Sequence, residues 1–333
     1  MNKLSIGKLD SDVLQKIVLD RIRYRRPEVK TGAGIGEDCA CIDFGPYDCV
    51  ISTDPITADV KDIGRLAICI SCNDIASNGI QPIGITLAVM LPDGTTEDDV
   101  RMIMDQAAAA AEQCQVQIVG GHTEVTEAVT QPVIVSTAFG RAPSGVSASA
   151  ADMFPGCRIL MTKKAGLEGT GIIATEEAEE LTGELTEEEF SAARAMLDQV
   201  SVVPEGVIAG SIGTCGMHDV TEGGIYGAIW EMCHIAGLGA MVEESAIPVD
   251  PVTYKVCAHF GIEPLRLISS GCMLIVAAPD KAEKILSALA EEGIACTDIG
   301  EICEAGEGVC ARLADGSVSE IAPPYADELY MAV

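Results

Sequence analysis

Basic residues are scarce in this chain of 333 residues, which has 21 lysines and arginines against 51 aspartates and glutamates. The formal net charge is −30 at pH 7. Affinity for nucleic acid and for anionic membrane surfaces comes largely from lysine and arginine, so this balance argues against both partners. A polyanionic ligand such as a nucleotide would need a bound cation or local hydrogen-bond donors to approach the protein.

Aromatic residues and long apolar runs are also scarce. The chain has one Trp, six Tyr and five Phe, so the core must be built from Ala, Ile, Val, Leu and Met. No uncharged apolar run reaches about 18 residues, the length of a membrane span. The N-terminal sequence lacks the apolar segment of a signal peptide. We therefore expect a cytoplasmic globular protein, and the length suggests two domains.

Cysteine, by contrast, is abundant, with 14 residues. Without a secretory signal, this usage is typical of a reducing compartment, where cysteine packs as a small hydrophobe. The pair Cys69-x-x-Cys72 has a spacing that suits a metal or redox site, but no second pair or nearby histidine completes a four-ligand set. A redox or metal-cluster protein stays open as one alternative function.

Two aspartates mark the stretch 52–84. An apolar run at 49–51 predicts a buried strand that ends near Asp54, and apolar residues at helical spacing across 63–70 place Asp74 on the same stripe. A carboxylate that faces a core is costly unless a cation, a metal or several donors contact it. Two acids that enter one interior from different elements suggest a shared cation. The alternative is that each caps a turn or a helix end.

Two glycine-rich segments would let a ligand approach the backbone closely. Residues 32–36 precede Glu37 and Asp38, and their GxGxG spacing matches neither the dinucleotide fingerprint nor the phosphate-binding P-loop. Acids directly after a glycine-rich turn point instead to a metal that bridges to phosphate. Residues 166–171 open a predicted helix, whose backbone N–H groups are expected to face phosphate oxygens.

The predicted elements divide the chain into three segments. Residues 1–30 are predicted to form a leader helix. Residues 31–150 form an N-terminal domain whose order of strands and helices indicates an α+β sheet with helices on one face. A link rich in Ala, Ser, Gly and Pro at 140–152 leads to a C-terminal α/β domain at 151–333.

Five short motifs in a fixed order resemble the aminoimidazole ribonucleotide (AIR) synthase superfamily. This superfamily includes thiamine-monophosphate kinase, selenophosphate synthetase and the hydrogenase-maturation protein HypE. The motifs are GIGEDCA at 34–40, STD at 52–54, IGRLAICISCNDIASNG at 63–79, GGHTEV at 120–125 and HDVTEGG at 218–224. They span nearly the whole chain, and EPLRLISSGCMLIV at 263–276 makes the HypE-like branch the nearest.

The resemblance implies a two-domain PurM-like fold in which the mixed N-terminal sheets of two subunits join into a barrel. It also implies that ATP and Mg²⁺ bind in a cleft between the two domains. The metal ligands that it implies, with Glu124 added from this chain's own motif, are Asp38, Asp54, Asp74, Glu124 and Asp219. The residues expected to contact ATP are Gly34, Gly36, Asp38, Asp54, Asp74, Gly121, Gly169 and Thr170.

Three departures from the family pattern concern chemistry. His122 stands where relatives carry Asp, and histidine is a poor magnesium ligand because hard cations prefer oxygen. We therefore expect Glu124 to bind the metal, and His122 and Asp219 to be catalytic, with His122 contacting phosphate or acting as a general base. A His122 satisfied within a turn is the alternative. Ser270 replaces an acid of typical HypE. The segment DELYMAV at 327–333 lacks the C-terminal cysteine of HypE, and the last cysteine of this chain, Cys310, is predicted to lie in a strand.

These features predict an enzyme that requires ATP and magnesium and phosphorylates a small acceptor, on a carbonyl or amide oxygen or on phosphate. One alternative is a non-catalytic ATP-binding scaffold of the hydrogenase-maturation type, with a protein partner. Another is a phosphotransferase similar to thiamine-monophosphate kinase. We also expect a homodimer, because the predicted N-terminal sheet would otherwise leave its edges and an apolar face open.

Overall fold

Two β-sheets, one in each half of the chain, form the framework of the protein. The structure is a computed structural model, and it describes residues 9, 11–22, 24–57, 61–146 and 150–332. The start of the predicted leader helix and residues 147–149 of the predicted link lie outside the described residues. The two halves share one large hydrophobic core, and a second core lies within the C-terminal half.

The first sheet has six strands in the spatial order β1-β2-β3-β6-β4-β5. Strands β4 and β5 are parallel and every other pair is antiparallel, so the sheet is mixed as predicted. The strands are β1 (Val29–Thr31), β2 (Ala40–Asp43), β3 (Tyr47–Ile56), β4 (Pro82–Leu91), β5 (Gln117–Val125) and β6 (Val133–Pro143). Three helices accompany them, namely α1 (Ser11–Ile17), α2 (Ile63–Ser77) and α3 (Glu97–Gln113).

The second sheet has seven strands in the order β13-β12-β9-β11-β7-β10-β8, antiparallel except between β9 and β12. The strands are β7 (Arg158–Thr162), β8 (Gly216–Asp219), β9 (Gly239–Glu243), β10 (Met273–Ala277), β11 (Cys296–Cys303), β12 (Val309–Arg312) and β13 (Val318–Glu320). The helices of this half are α4 (Leu167–Glu176), α5 (Glu187–Ala195), α6 (Val203–Ile212), α7 (Gly224–Ala236), α8 (Pro251–Phe260) and α9 (Pro279–Glu291).

Two elements differ from the sequence-based expectation. The described part of the leader segment holds a helix of only seven residues, Ser11–Ile17, with no buried side chain, followed by a short 3-10 turn and strand β1. The apolar residues at 116–119 predict a short strand that ends before the glycine pair at 120–121, but β5 continues to Val125. A Cβ on Gly121 would lie 1.9 Å from the carbonyl oxygen of Leu87, so glycine lets β5 pair closely with β4.

Helix α2 lies between the two halves and is buried on nearly all sides. Thirteen of its fifteen residues are buried, so its core contact is far wider than the predicted apolar stripe. Glycines of α6 allow close packing, because a Cβ on Gly206 would lie 2.2 Å from the carbonyl oxygen of Ala76. The helix therefore packs backbone against backbone with the C-terminal half.

Asn73 joins α2 to the C-terminal half through its side-chain amide. Its Nδ2 donates to the carbonyl oxygen of Val200 at 2.8 Å, and its Oδ1 accepts from the backbone N–H of Val202 at 2.8 Å. The asparagine is fully buried, so neither backbone group has water as a substitute partner. One side chain thus fixes α2, one residue before Asp74, relative to the second sheet.

We expect Asn73→Ala to lower the free energy of unfolding by about 2–3 kcal/mol, because it leaves a carbonyl oxygen and a backbone N–H buried without partners. Urea denaturation followed by circular dichroism measures the change. The control is Asn78→Ala at the end of the same helix, where the side chain makes one longer bond of 3.4 Å to the carbonyl oxygen of Asp74. Equal losses in the two variants would contradict this role of Asn73.

Candidate functional site

A cleft of about 840 Å³ lies between the two halves of the chain. The N-terminal half lines it with acids that include Asp38, Asp54 and Asp74. The C-terminal half contributes Glu168 and Glu222. No lysine, arginine or histidine lines this cleft within the part of the chain that the structure describes. The cleft is therefore strongly negative and suits ligands that carry or bring positive charge.

The structure brings together the four aspartates that the sequence analysis singled out. Asp54 lies on β3 and Asp74 on α2, and the hydroxyl of Ser52 donates to Oδ2 of Asp74 at 2.5 Å. Burial, together with the carboxylates of Asp219 and Asp54, raises the pKa of Asp74 well above its ordinary value. Carboxylates this close repel one another unless a cation lies between them.

Asp219 ends the edge strand β8 and does not itself line the cleft. It is 1% exposed, and neither of its carboxylate oxygens has a hydrogen-bond partner. Burial and the carboxylate of Asp38 raise its pKa to about 8. Such a buried acid is costly when it is ionised and unpaired, so its two oxygens form a place for a cation.

His218, the residue before it, supplies positive charge from within the fold. Its Nδ1 lies 2.8 Å from the carbonyl oxygen of Asp219 and its Nε2 lies 3.1 Å from Oε2 of Glu231. Both oxygens accept hydrogen bonds, so both ring nitrogens carry a proton. Burial alone would lower the pKa of His218, but the carboxylates of Asp38 and Glu231 raise it to about 10. Nε2 also lies 3.7 Å from Oδ1 of Asp38, a second carboxylate beside the ring.

Another end of the cleft, around Glu168, is formed by the start of α4 and by a segment near the C terminus. Glu168 in the first turn of α4 is 5% exposed, and its Oε2 has no hydrogen-bond partner. Burial raises its pKa to about 7, although the hydroxyl of Ser270 opposes the shift. Oε2 of Glu222 also lacks a partner. Sequence analysis named Ser270 but missed Glu168 and Glu222.

Asp327 fixes the C-terminal segment against this end of the cleft. Its carboxylate accepts backbone N–H groups from Gly223 at 2.7 Å, from Ile268 at 3.1 Å and from Leu329 at 2.8 Å. Tyr330 then reaches Glu222, with its hydroxyl 3.1 Å from Oε1. Residues of DELYM thereby form part of the cleft wall.

Several predicted site residues lie elsewhere. Gly169 and Thr170 do not line the cleft: the N–H of Gly169 donates to the carbonyl oxygen of Ile268, and the hydroxyl of Thr170 donates to Thr253. The structure brings Glu168 to the cleft in their place. Gly34 and Gly36 lie in the loop that precedes Asp38.

His122, Glu124 and Gly121 lie on the exposed edge strand β5, and none of them lines the cleft of the described chain. The side chain of His122 is 70% exposed, and its Nε2 lies 3.4 Å from Oε2 of Glu124. The turn that was the alternative reading of His122 is absent here, because the residue is in a strand. Its predicted catalytic role and the metal role of Glu124 stay predictions.

Comparison with known proteins identifies the family. Residues 36–142 match the family described as AIR synthase related protein, N-terminal domain, and residues 155–311 match AIR synthase related protein, C-terminal domain. The chain therefore belongs to the AIR synthase-related superfamily, and its relatives place it in the HypE-like branch. This agrees with the motifs in the sequence.

Similar proteins cover most of the chain. Carbamoyl dehydratase HypE of Rhodobacter capsulatus is 29% identical over 261 residues, which are 78% of this chain and 74% of the relative. The protein of that name from Escherichia coli K12 is 27% identical over 255 residues, 75% and 73% of the two chains. These matches confirm the prediction of an enzyme of this superfamily.

Solved structures confirm the predicted two-domain fold. A HypE–HypF complex aligns with a TM-score of 0.78 at 23% identity, covering 94% of this chain and 99% of that chain. HypE in complex with ATP aligns with 0.75 at 23% identity, covering 99% and 98%. Thiamine-monophosphate kinase from Stenotrophomonas maltophilia aligns with 0.69 at 20% identity, covering 93% and 96%.

Two further expectations concern the state of the cysteines and the presence of membrane-spanning helices. All fourteen cysteines are free thiols, and nine of them are buried, Cys69 and Cys72 included. Cys310 lies in strand β12, as predicted. None of the helices in the described residues combines the length and the apolar character needed to cross a membrane.

The buried carboxyl group of Glu168 should make the stability of the protein depend on pH. Its pKa is about 7 in the fold against an ordinary value of 4.5, so the unfolded chain releases the proton first and stability falls as the pH rises between these values. The loss is about 3 kcal/mol and is complete above the folded pKa. Glu168→Gln has no charge to bury, so it should be more stable than the wild type at pH 8. Urea unfolding from pH 4 to pH 8 measures the difference.

The matched control is Glu180→Gln, because Glu180 is an exposed glutamate beyond the end of the same helix. This control should follow the wild-type curve at every pH. Parallel curves for the wild type and Glu168→Gln would mean that Glu168 ionises in the fold without penalty.

Proposed function

We propose that this protein is an enzyme that uses ATP and Mg²⁺ to phosphorylate a small acceptor in the cleft between its two halves. The observation that carries the proposal is the group of four aspartates, of which Asp38, Asp54 and Asp74 line the cleft and Asp219 has two unpartnered carboxylate oxygens. The family supports the use of ATP, since a solved HypE contains ATP and relatives are named carbamoyl dehydratase. The acceptor would bear a carbonyl or amide oxygen, or a phosphate.

The acids fit Mg²⁺, which prefers oxygen ligands and is held by a few carboxylates together with substrate phosphates. Asp38, Asp54, Asp74 and Asp219 would hold it, and the raised pKa values of Asp74 and Asp219 show how strongly they lack a counter-charge. When bound, the ion would neutralise the negative charge of the phosphate oxygens and of the four acids.

The chain's own residues would set the geometry around the phosphates. Ser52 donates to Asp74 and fixes one of its oxygens, while the hydroxyl of Ser77 lies 3.3 Å from Oδ2 of Asp38. The His218 cation holds the backbone of Asp219 through Nδ1 and offsets the charge of Asp38. Catalysis of phosphoryl transfer is mainly positioning and electrostatic stabilisation, which such a fixed set of groups can supply.

We further propose a homodimer that pairs through β5. This strand is the open edge of the first sheet and exposes Val119 by 49% and Val125 by 57% of their areas. Exposed edges with apolar side chains pair readily with another strand. A partner sheet would also cover His122 and Glu124, which do not line the cleft of a single chain. Their proposed phosphate and metal roles would then belong to the dimer.

A protein partner is a second element of the proposal. One of the similar solved structures is a complex of HypE with HypF. A scaffold role in hydrogenase maturation would need such a contact without ATP turnover. Measuring ATP hydrolysis with candidate acceptors separates the enzyme from the scaffold, because only the enzyme would respond to an acceptor.

We expect ATP binding to require a divalent cation, and Asp219→Asn to lose most of the binding that depends on it. Calorimetry with Mg²⁺ and with EDTA measures both effects. Because the Asp219 oxygens make no hydrogen bonds and their charge is costly to bury, the variant should keep its fold and be at least as thermally stable as the wild type without ligand. The control is Asp105→Asn on the exposed face of α3. Equal ATP affinity with Mg²⁺ and with EDTA would refute the shared metal.

We expect sedimentation equilibrium to give twice the chain mass of 34.7 kDa. Val119→Lys should shift the protein towards the monomer, because it places a charge on the pairing edge. The control is Val318→Lys, which puts the same charge on the exposed edge strand β13 of the other sheet. A monomeric wild type, or equal effects of the two changes, would contradict pairing through β5.

A further inference from the structure

The end of the cleft around Glu168 holds polar atoms without partners. Glu168 is 5% exposed and lines the cleft, and its Oε2 makes no hydrogen bond. Glu222 also lines the cleft, and its Oε2 is unpaired as well. A buried polar atom without a partner is costly, and more so when it is charged. Two such carboxylate oxygens at one place indicate a ligand that donates hydrogen bonds.

The charge at this end has one sign. The carboxylates of Asp327 and Glu222 lie near enough to Glu168 to repel its charge. The carboxylate of Asp327 accepts three backbone N–H groups. The carboxylates that lack a compensating charge are therefore those of Glu168 and Glu222. No basic side chain of the described cleft lining can supply it. The ligand group must therefore be positively charged.

An organic cation fits this place better than a metal ion. Mg²⁺ and Ca²⁺ bind six or more oxygens, several of them from carboxylates. In the described chain, no third acidic, cysteine or histidine side chain joins Glu168 and Glu222 within the span of one ion. The neighbouring walls are apolar, with Ile172, Ile268 and Leu329. Apolar walls suit the carbon frame of a small molecule.

We propose that this end of the cleft binds the acceptor through a positively charged nitrogen group, namely a protonated amine, an amidinium or a guanidinium. Glu168 and Glu222 are its carboxylate partners, and Ser270 accepts a further hydrogen bond. Tyr330 contacts Oε1 of Glu222 at 3.1 Å and leaves Oε2 for the ligand. The inference rests on the proposed function, since it assumes that the four aspartates serve the nucleotide end.

Methylguanidinium and methylurea test the proposal, because they share a planar shape and differ in charge. Ligand-detected NMR titration of the full chain, at millimolar concentrations and pH 8, gives the two affinities. We expect methylguanidinium to bind about tenfold more tightly than methylurea. Glu168→Gln and Glu222→Gln should each remove most of this preference, while Glu180→Gln keeps it. The substitutions are isosteric, and circular dichroism confirms that each variant is folded.

Three outcomes would overturn the proposal: equal affinity for the two probes, a preference that survives Glu168→Gln, or displacement of methylguanidinium by adenosine. The last would mean that this end holds the nucleotide base. The titration needs no ATP turnover, so it separates the two proposals. If Mg²⁺-ATP fails to bind while the preference depends on Glu168, the cation subsite stands and the proposed phosphotransfer fails. If Mg²⁺-ATP binds and the preference is absent, only the subsite fails.

Discussion

The burial of α2 between the two sheets is the constraint on which the site depends. A helix buried on nearly all sides has no solvent face on which to place a polar residue. Its polar side chains must therefore be satisfied inside the protein. Asn73 meets this requirement with two backbone groups of the other half, and Asp74 receives the hydroxyl of Ser52. One helix thus joins the halves and carries an acid into the cleft between them.

The acidic composition of the chain and the acidic lining of the cleft both require positive charge from the ligands. A protein with a net charge of −30 repels nucleotides at long range, and the cleft lining offers no basic side chain to reverse this locally. His218 is the one buried cation beside the four aspartates in the described residues, and its protons already face Asp219 and Glu231. Charge neutralisation must come with the ligands. Divalent metal at one end and an organic cation at the other would each meet this need.

The family motifs made the four aspartates predictable, because each acid follows or lies within a local pattern that the sequence displays. The glycine pair at 120–121 misled, since glycine marks a loop in most sequences and here permits close pairing of β5 with β4. In α4 the sequence singles out Gly169 and Thr170, whereas the residue of its first turn that lines the cleft is Glu168. Glu168 could not be found from a local pattern. Its pKa depends on Ser270 and Asp327, which are remote in the sequence, and only the tertiary fold brings them together.

The resemblance places an acid of HypE where this chain has Ser270, and the acid beside this serine is Glu168 of α4. The segment around Asp327 closes the same end, held by three backbone N–H groups, and brings Tyr330 to Glu222. The four aspartates belong to the family's motifs, whereas the end around Glu168 is formed by α4 and the C-terminal segment. Under the proposed phosphoryl transfer, the position of the acceptor at this end would set the specificity of the protein.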